Sequence, residues 1–108
     1  VDYLSGAALF IRKTVIDQVG FFDEDFFLYF EDMDLSLRVA RAGKQVWYQA
    51  AYSLLHFSGK SHSGRRLQKK YYDASLRYYV QKHWSPASRA FFTALQTLYR
   101  FFYPYGRS

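Results

Sequence analysis

The chain reads as an α+β protein, with a few short strands and a helix in its first part and an amphipathic helical pair behind them. Three observations predict this. Closely packed apolar residues recur in short stretches at residues 1–12, 44–49 and 53–57, apolar positions follow a helical period in 31–42 and 65–84, and one Gly/Ser-rich run, 58–64, separates the two patterns. With 108 residues, half of them apolar, there is enough chain for one compact domain and little for two. The absence of cysteine excludes a disulfide framework, a thiolate zinc site and a cysteine nucleophile, leaving any metal to His and carboxylates.

Residues 1–12 carry Leu4, Ala7, Ala8, Leu9, Phe10 and Ile11 around a Ser5-Gly6 interruption, which predicts a buried strand with a bend or a close backbone approach. Thr14 is placed to cap a short helix through Val19 that Gly20 ends, and residues 21–30 form a loop too aromatic to be a solvated linker. Residues 31–42 follow as a helix, with Met33, Leu37 and Ala40 on one face, Asp34 and Arg38 paired at i,i+4, and Gly43 as the stop. Val46, Trp47 and Tyr48, then Leu54 and Leu55, predict two short strands, the second delivering His56. Beyond the Gly/Ser run, residues 65–84 alternate a polar stripe (Arg66, Lys69, Lys70, Asp73, Arg77) with an apolar one (Leu67, Tyr71, Ala74, Tyr78). Pro86 fits the first turn of a last helix running to Phe102. The organisation predicted is 1–64 as one part and 65–108 as a basic, aromatic helical extension.

Charge divides along the same line. Residues 1–59 hold five basic and eight acidic side chains, net −3, and residues 60–108 hold ten basic side chains against Asp73 alone, net +9. An acidic part offers a site for hydroxyls or cations, while a basic part faces phosphate. Aromatic residues number 24 of 108, more than a core of this size consumes, so some rings work at the surface. No apolar stretch reaches the length of a transmembrane helix. The chain opens on Val1 with no recognisable targeting segment and reads as an excerpt of a longer protein.

Six carboxylates, Asp23, Glu24, Glu31, Asp32 and Asp34 with Asp25 between them, fall within twelve residues. One explanation is electrostatic, since acidic side chains in a first turn complement the helix dipole. The other is a general base, a carboxylate at a helix N-terminus under an aromatic loop accepting a proton from an attacking hydroxyl. Glu31 and Asp32 point about 100° apart on a helix, so only one of them faces the reacting group. His56 is either a hydrogen-bonded strand residue or a ligand, and His62 and His83 match no zinc spacing. Ser58-Gly59-Lys60-Ser61 lacks the leading glycine of a phosphate loop.

Taken together, Ser5-Gly6-Ala7-Ala8 before Phe10-Ile11-Arg12-Lys13, Val19-Gly20-Phe21-Phe22-Asp23-Glu24, Phe27 with Tyr29, Glu31-Asp32-Met33-Asp34-Leu35 with Arg38 and Gly43, then His56 and Ser61, resemble the C-terminal part of family 2 glycosyltransferases. The likeness covers residues 1–64 and is closest in kind to bacterial rhamnosyltransferases. It implies part of a GT-A type fold and an inverting transfer from a nucleotide-sugar donor to a saccharide or lipid-linked acceptor in cell-surface polysaccharide synthesis. By the resemblance Asp32 is the catalytic base, Glu31 its partner at the acceptor, and His56 a ligand of a divalent cation, manganese or magnesium. Phe22, Asp23, Glu24, Phe27 and Tyr29 would line the acceptor wall. The upstream half with the nucleotide pocket and the Asp-x-Asp motif is not in this chain, so the fragment alone is expected to be inactive. Arg65, Arg66, Lys69 and Lys70 are expected to touch membrane or phosphate, at the cytoplasmic face of the bacterial plasma membrane. The alternative reading is a nucleic-acid-binding module, in which Tyr71, Tyr72, Tyr78, Tyr79 and Trp84 stack bases among the cations. Its weakness is the carboxylate cluster, which would repel a phosphate backbone. A third reading gives the tail a role in oligomerisation alone.

Overall fold

The computed structural model describes residues 1–55 and 64–103. All regular structure there is helical: α1 (Lys13–Val19), α2 (Glu31–Arg41), α3 (Arg65–His83) and α4 (Pro86–Phe102). This corrects the α+β expectation and, with it, the expected GT-A portion with short strands. Residues 1–12 and 44–49, and as much of 53–57 as is described, form no strand.

The physical reason is visible in residues 1–12. A strand exists only through a partner ladder, and strand-forming composition supplies the pleated face without the partner. Here the backbone N–H groups of Leu4 and Gly6 donate instead to side chains of α2, Ser36 Oγ at 3.4 Å and Asp32 Oδ2 at 2.8 Å. Leu9 and Ile11 are half-buried while Phe10 between them is wholly exposed, the alternation of extended backbone. Leu4, Leu9 and Ile11 share with Leu35 and Val39 of α2 the lining of a groove of about 550 Å³.

The chain divides into two compact units, Val1–Leu76 and Arg77–Ser108. In the first, α1 packs on α2. Helix α1 begins with Arg12 at its N-cap and no side-chain cap, so Thr14 is not the capping residue expected. It ends at Gly20, whose φ of 77° and ψ of 173° are open to glycine and to little else. Helix α2 holds Glu31, Asp32 and Asp34 in its first turn and Arg38 and Arg41 in its last, each sign at the dipole end that favours it. Its buried face is Asp34, Leu35, Ser36 and Val39, and Gly43 at φ 72° follows its end.

The aromatic loop between α1 and α2 is fastened rather than solvated. Asp23 accepts from the Asp25 N–H at 3.0 Å through Oδ1 and from the Phe26 N–H at 3.1 Å through its carbonyl, a turn that carries Phe26 into the interior. The rest of the loop lies on the first turns of α3. Phe27 meets Tyr71 with ring centroids 4.6 Å apart, Ser75 Oγ donates to the Leu28 carbonyl at 2.6 Å, and Tyr72 packs on both Tyr29 (5.7 Å) and Phe30 (5.2 Å).

In the second unit the Trp84 ring meets Phe92 edge-on at 5.4 Å. Ser85 caps α4, its Oγ accepting from the Ser88 N–H at 3.2 Å, and Pro86 occupies the first turn as its missing N–H allows. No helix of the described residues is long and apolar enough to cross a membrane.

Candidate functional site

The centre of the candidate site is the N-terminus of α2, where the chain arrives by an unusual route. Tyr29 and Phe30 both have left-handed backbone, φ 68° and 69°, and Phe30 stands at the N-cap without a side-chain cap. For bulky aromatic residues this conformation is strained, by about 1–3 kcal/mol each, and it persists only where packing enforces it. The Tyr72 ring against both side chains is that enforcement. The two turned residues set the direction in which Glu31 and Asp32 leave the loop.

Asp32 is half-buried, and both its oxygens are oriented by backbone. Oδ2 accepts from the Gly6 N–H and Oδ1 from the Met33 N–H, each at 2.8 Å. The first turn of a helix has N–H groups with no helical partner, and Asp32 takes one of them. The close backbone approach read from Ser5-Gly6 is this bond. A carboxylate has about four lone-pair positions, so each oxygen keeps one for a further donor. Such a group, held in place by backbone, can accept a proton without first having to reorient. Glu31, next to it, has one carboxylate oxygen, Oε2, that is buried and makes no hydrogen bond in the structure.

Asp34 has the opposite character. It is fully buried and accepts from Arg38 Nε at 2.8 Å. The rest of the Arg38 guanidinium donates to the carbonyls of Val19, Gly20 and Phe21. One planar fork therefore ties the exit of α1 and the start of the aromatic loop to α2. The sequence showed the Asp34–Arg38 pair but not its carbonyl partners, which lie 17 to 19 residues upstream. Ser75 was also missed, since the helical stripe put Ala74 inward while Ser75 is the buried residue and Ala74 is exposed.

Of the residues expected at an acceptor wall, Asp23 shapes the loop turn, Phe22 meets Phe21 in a tilted ring contact at 4.5 Å, and Phe27 and Tyr29 rest on Tyr71 and Tyr72. Glu24 is exposed, and Phe27 remains largely so despite its contact. Arg66, Lys69 and Lys70 are exposed on α3, with Lys69 Nζ 3.1 Å from Asp73. Arg65 begins α3, and its side chain is outside the described part, as is the whole of His56. Among the described residues no three His, Asp or Glu side chains are grouped as a metal ion requires. Tyr71 and Tyr72, which the nucleic-acid reading needs for bases, are engaged with the aromatic loop.

Comparison with known proteins bears on this site directly. The model of the family described as glycosyl transferase family group 2 matches residues 3–106. The chain is 42% identical over 66 residues, 61% of its length, to the N-acetylglucosaminyl-diphospho-decaprenol L-rhamnosyltransferase of Mycobacterium tuberculosis. It is 30% identical over 86 residues, 76% of its length, to the rhamnosyltransferase WbbL of Escherichia coli. A low-salt glycan biosynthesis hexosyltransferase of Haloferax volcanii is 34% identical over 56 residues, which is 52% of the chain and 18% of that protein. The aligned parts amount to 21% of the mycobacterial protein and 32% of the E. coli one, so the chain spans a minor part of these relatives. No solved structure is significantly similar to it. Because the family model runs over nearly the whole chain, including the carboxylate-bearing α2 and the loop that leads into it, the chain belongs to glycosyl transferase family group 2.

Proposed function

We propose that this chain is the acceptor-side part of a glycosyltransferase that moves a sugar from a nucleotide-sugar donor to a hydroxyl of a saccharide or lipid-linked acceptor in cell-surface polysaccharide synthesis. The observation that carries the reading is Asp32, a half-buried carboxylate at a helix N-terminus whose two oxygens are aimed by the N–H groups of Gly6 and Met33. In the reaction the acceptor oxygen forms a bond to the anomeric carbon as the bond from that carbon to the nucleotide diphosphate breaks. The hydroxyl proton passes to Asp32, and the configuration inverts. Glu31, beside Asp32 in the first turn of α2, is its partner at the acceptor by family resemblance. Phe22, Phe27 and Tyr29 provide an apolar wall for the acceptor's faces.

The name of the mycobacterial relative, with its diphospho-decaprenol, supports a lipid-linked acceptor. A divalent cation, manganese or magnesium, with His56 among its ligands, belongs to this reading by family resemblance. The described residues do not assemble such a site, and no step here passes through it. A raised metal requirement in His56→Ala is the expected sign of that role, and an unaltered metal titration removes it.

The test of the main reading is turnover of nucleotide sugars by the intact protein and by its Asp32→Asn variant. Loss of about 100-fold or more in kcat, with donor binding retained, is expected, as general-base contributions run. Wild-type turnover by the variant overturns the assignment.

A further inference from the structure

We infer that the apolar face of α4 is a docking surface for an anionic lipid bilayer, on which the helix lies in the plane of the headgroup–acyl boundary. Phe91, Leu95, Leu98 and Phe102 recur at i, i+4, i+7 and i+11 and form one stripe, which Phe101 widens. Their exposures are 66%, 47%, 54%, 65% and 79%, and α4 buries no residue at all. Scattered exposed apolar residues are ordinary, but a continuous stripe of five large ones along a helix is a contact surface.

The opposite face repeats the same spacing in polar residues, Arg89, Thr93, Gln96 and Arg100. On this side the Thr93 and Thr97 hydroxyls donate to the carbonyls of Arg89 and Thr93, at 2.9 Å each, and Arg89 and Gln96 are half-buried. A helix of 17 residues is about 25 Å long, short of the hydrocarbon thickness, and no described helix is apolar enough to cross it. Lying flat is the geometry that remains for such a helix in a bilayer.

Charge selects the occupant. Residues 77–108 contain Arg77, Lys82, Arg89, Arg100 and Arg107 and no Asp or Glu. A second copy seated on this stripe would bring two such cationic segments together, whereas an anionic leaflet attracts them. Tyr99 and Tyr103, stacked at 5.2 Å at the end of α4, are of the type that settles at a headgroup boundary.

Flotation of the intact protein with vesicles tests this. It should float with vesicles of equimolar phosphatidylglycerol and phosphatidylcholine, less with phosphatidylcholine alone, and detach progressively as salt rises. Leu98→Gln combined with Phe101→Gln removes two exposed side chains from the stripe and should weaken partitioning about tenfold or more. Thr93→Ala with Gln96→Ala, on the polar face, should leave it unchanged. Failure to float with anionic vesicles at low salt overturns the inference. So does flotation that the Leu98/Phe101 pair does not affect, or self-association of the lipid-free protein that this pair abolishes while vesicles remain unbound. None of these outcomes depends on sugar transfer, so the proposed activity and this surface stand or fall separately.

Discussion

Gly6 donates its backbone N–H to Asp32 Oδ2 at 2.8 Å, across 26 residues of chain. The donor is backbone, so the bond survives a side chain at position 6 provided there is room for one. A Cβ there would lie 3.7 Å from the Asp32 Cβ, an ordinary contact. Gly6→Ala should therefore change unfolding free energy by no more than about 0.5 kcal/mol and leave turnover near wild type. Asp32→Asn keeps a single acceptor oxygen for two N–H donors, and should cost about 1 kcal/mol in a urea melt besides its loss of turnover.

The Asp34–Arg38 pair makes a harsher prediction. Removing the guanidinium leaves a wholly buried carboxylate without its charge partner and strips donors from three carbonyls. Arg38→Met should lower stability by about 3 kcal/mol or more, read from the shift in denaturant midpoint. Arg38→Lys should recover only part of it, since an ammonium lacks the planar fork.

Gly20 is expected to tolerate no side chain, for backbone reasons alone. A Cβ there would meet Arg38 Nη1 at an unremarkable 3.6 Å, but φ of 77° with ψ of 173° is closed to other residues. Gly20→Ala should destabilise by about 1–3 kcal/mol, against almost nothing for Gly6→Ala, and thermal melts of the two side by side give the comparison.

Helix α2 was legible because its signals are local: acids first, bases last, an i,i+4 pair and a glycine beyond the end. Helix α4 was legible from Pro86, which can begin a helix but not sit within one. Among the described residues the expected strands failed for the complementary reason. Runs such as Leu9-Phe10-Ile11 and Val46-Trp47-Tyr48 announce extended backbone, but whether a ladder forms depends on a partner segment that no local window contains. At the candidate site, Asp32 and Glu31 could be singled out as carboxylates at a helix start. The Gly6 bond was half visible in the glycine itself. Ser75 and Tyr72 were not, because their partners Leu28, Tyr29 and Phe30 lie more than forty residues away, out of reach of helical periodicity.

Tyr72 should prove a positioning residue for the start of α2. Tyr72→Ala removes both ring contacts that hold Tyr29 and Phe30 in left-handed backbone, each pair worth about 0.5–1.5 kcal/mol. In the intact enzyme kcat should fall about tenfold with KM for the donor little changed, and Tyr72→Phe, which keeps the ring, should restore it. A variant that lowers only the melting temperature would reduce Tyr72 to a packing role.

The alternation at Leu9, Phe10 and Ile11 also bears on how the chain behaves in concentrated solution. An extended stretch with a wholly exposed phenylalanine, whose backbone forms no hydrogen bond among the described residues, is a ready template for strand addition by another molecule. Such adhesion is driven by backbone hydrogen bonding and by the exposed ring, and like charge on the two molecules opposes it, less so as salt rises. A lysine in place of Phe10 adds charge where no packing is lost, and should raise the concentration at which light scattering first appears.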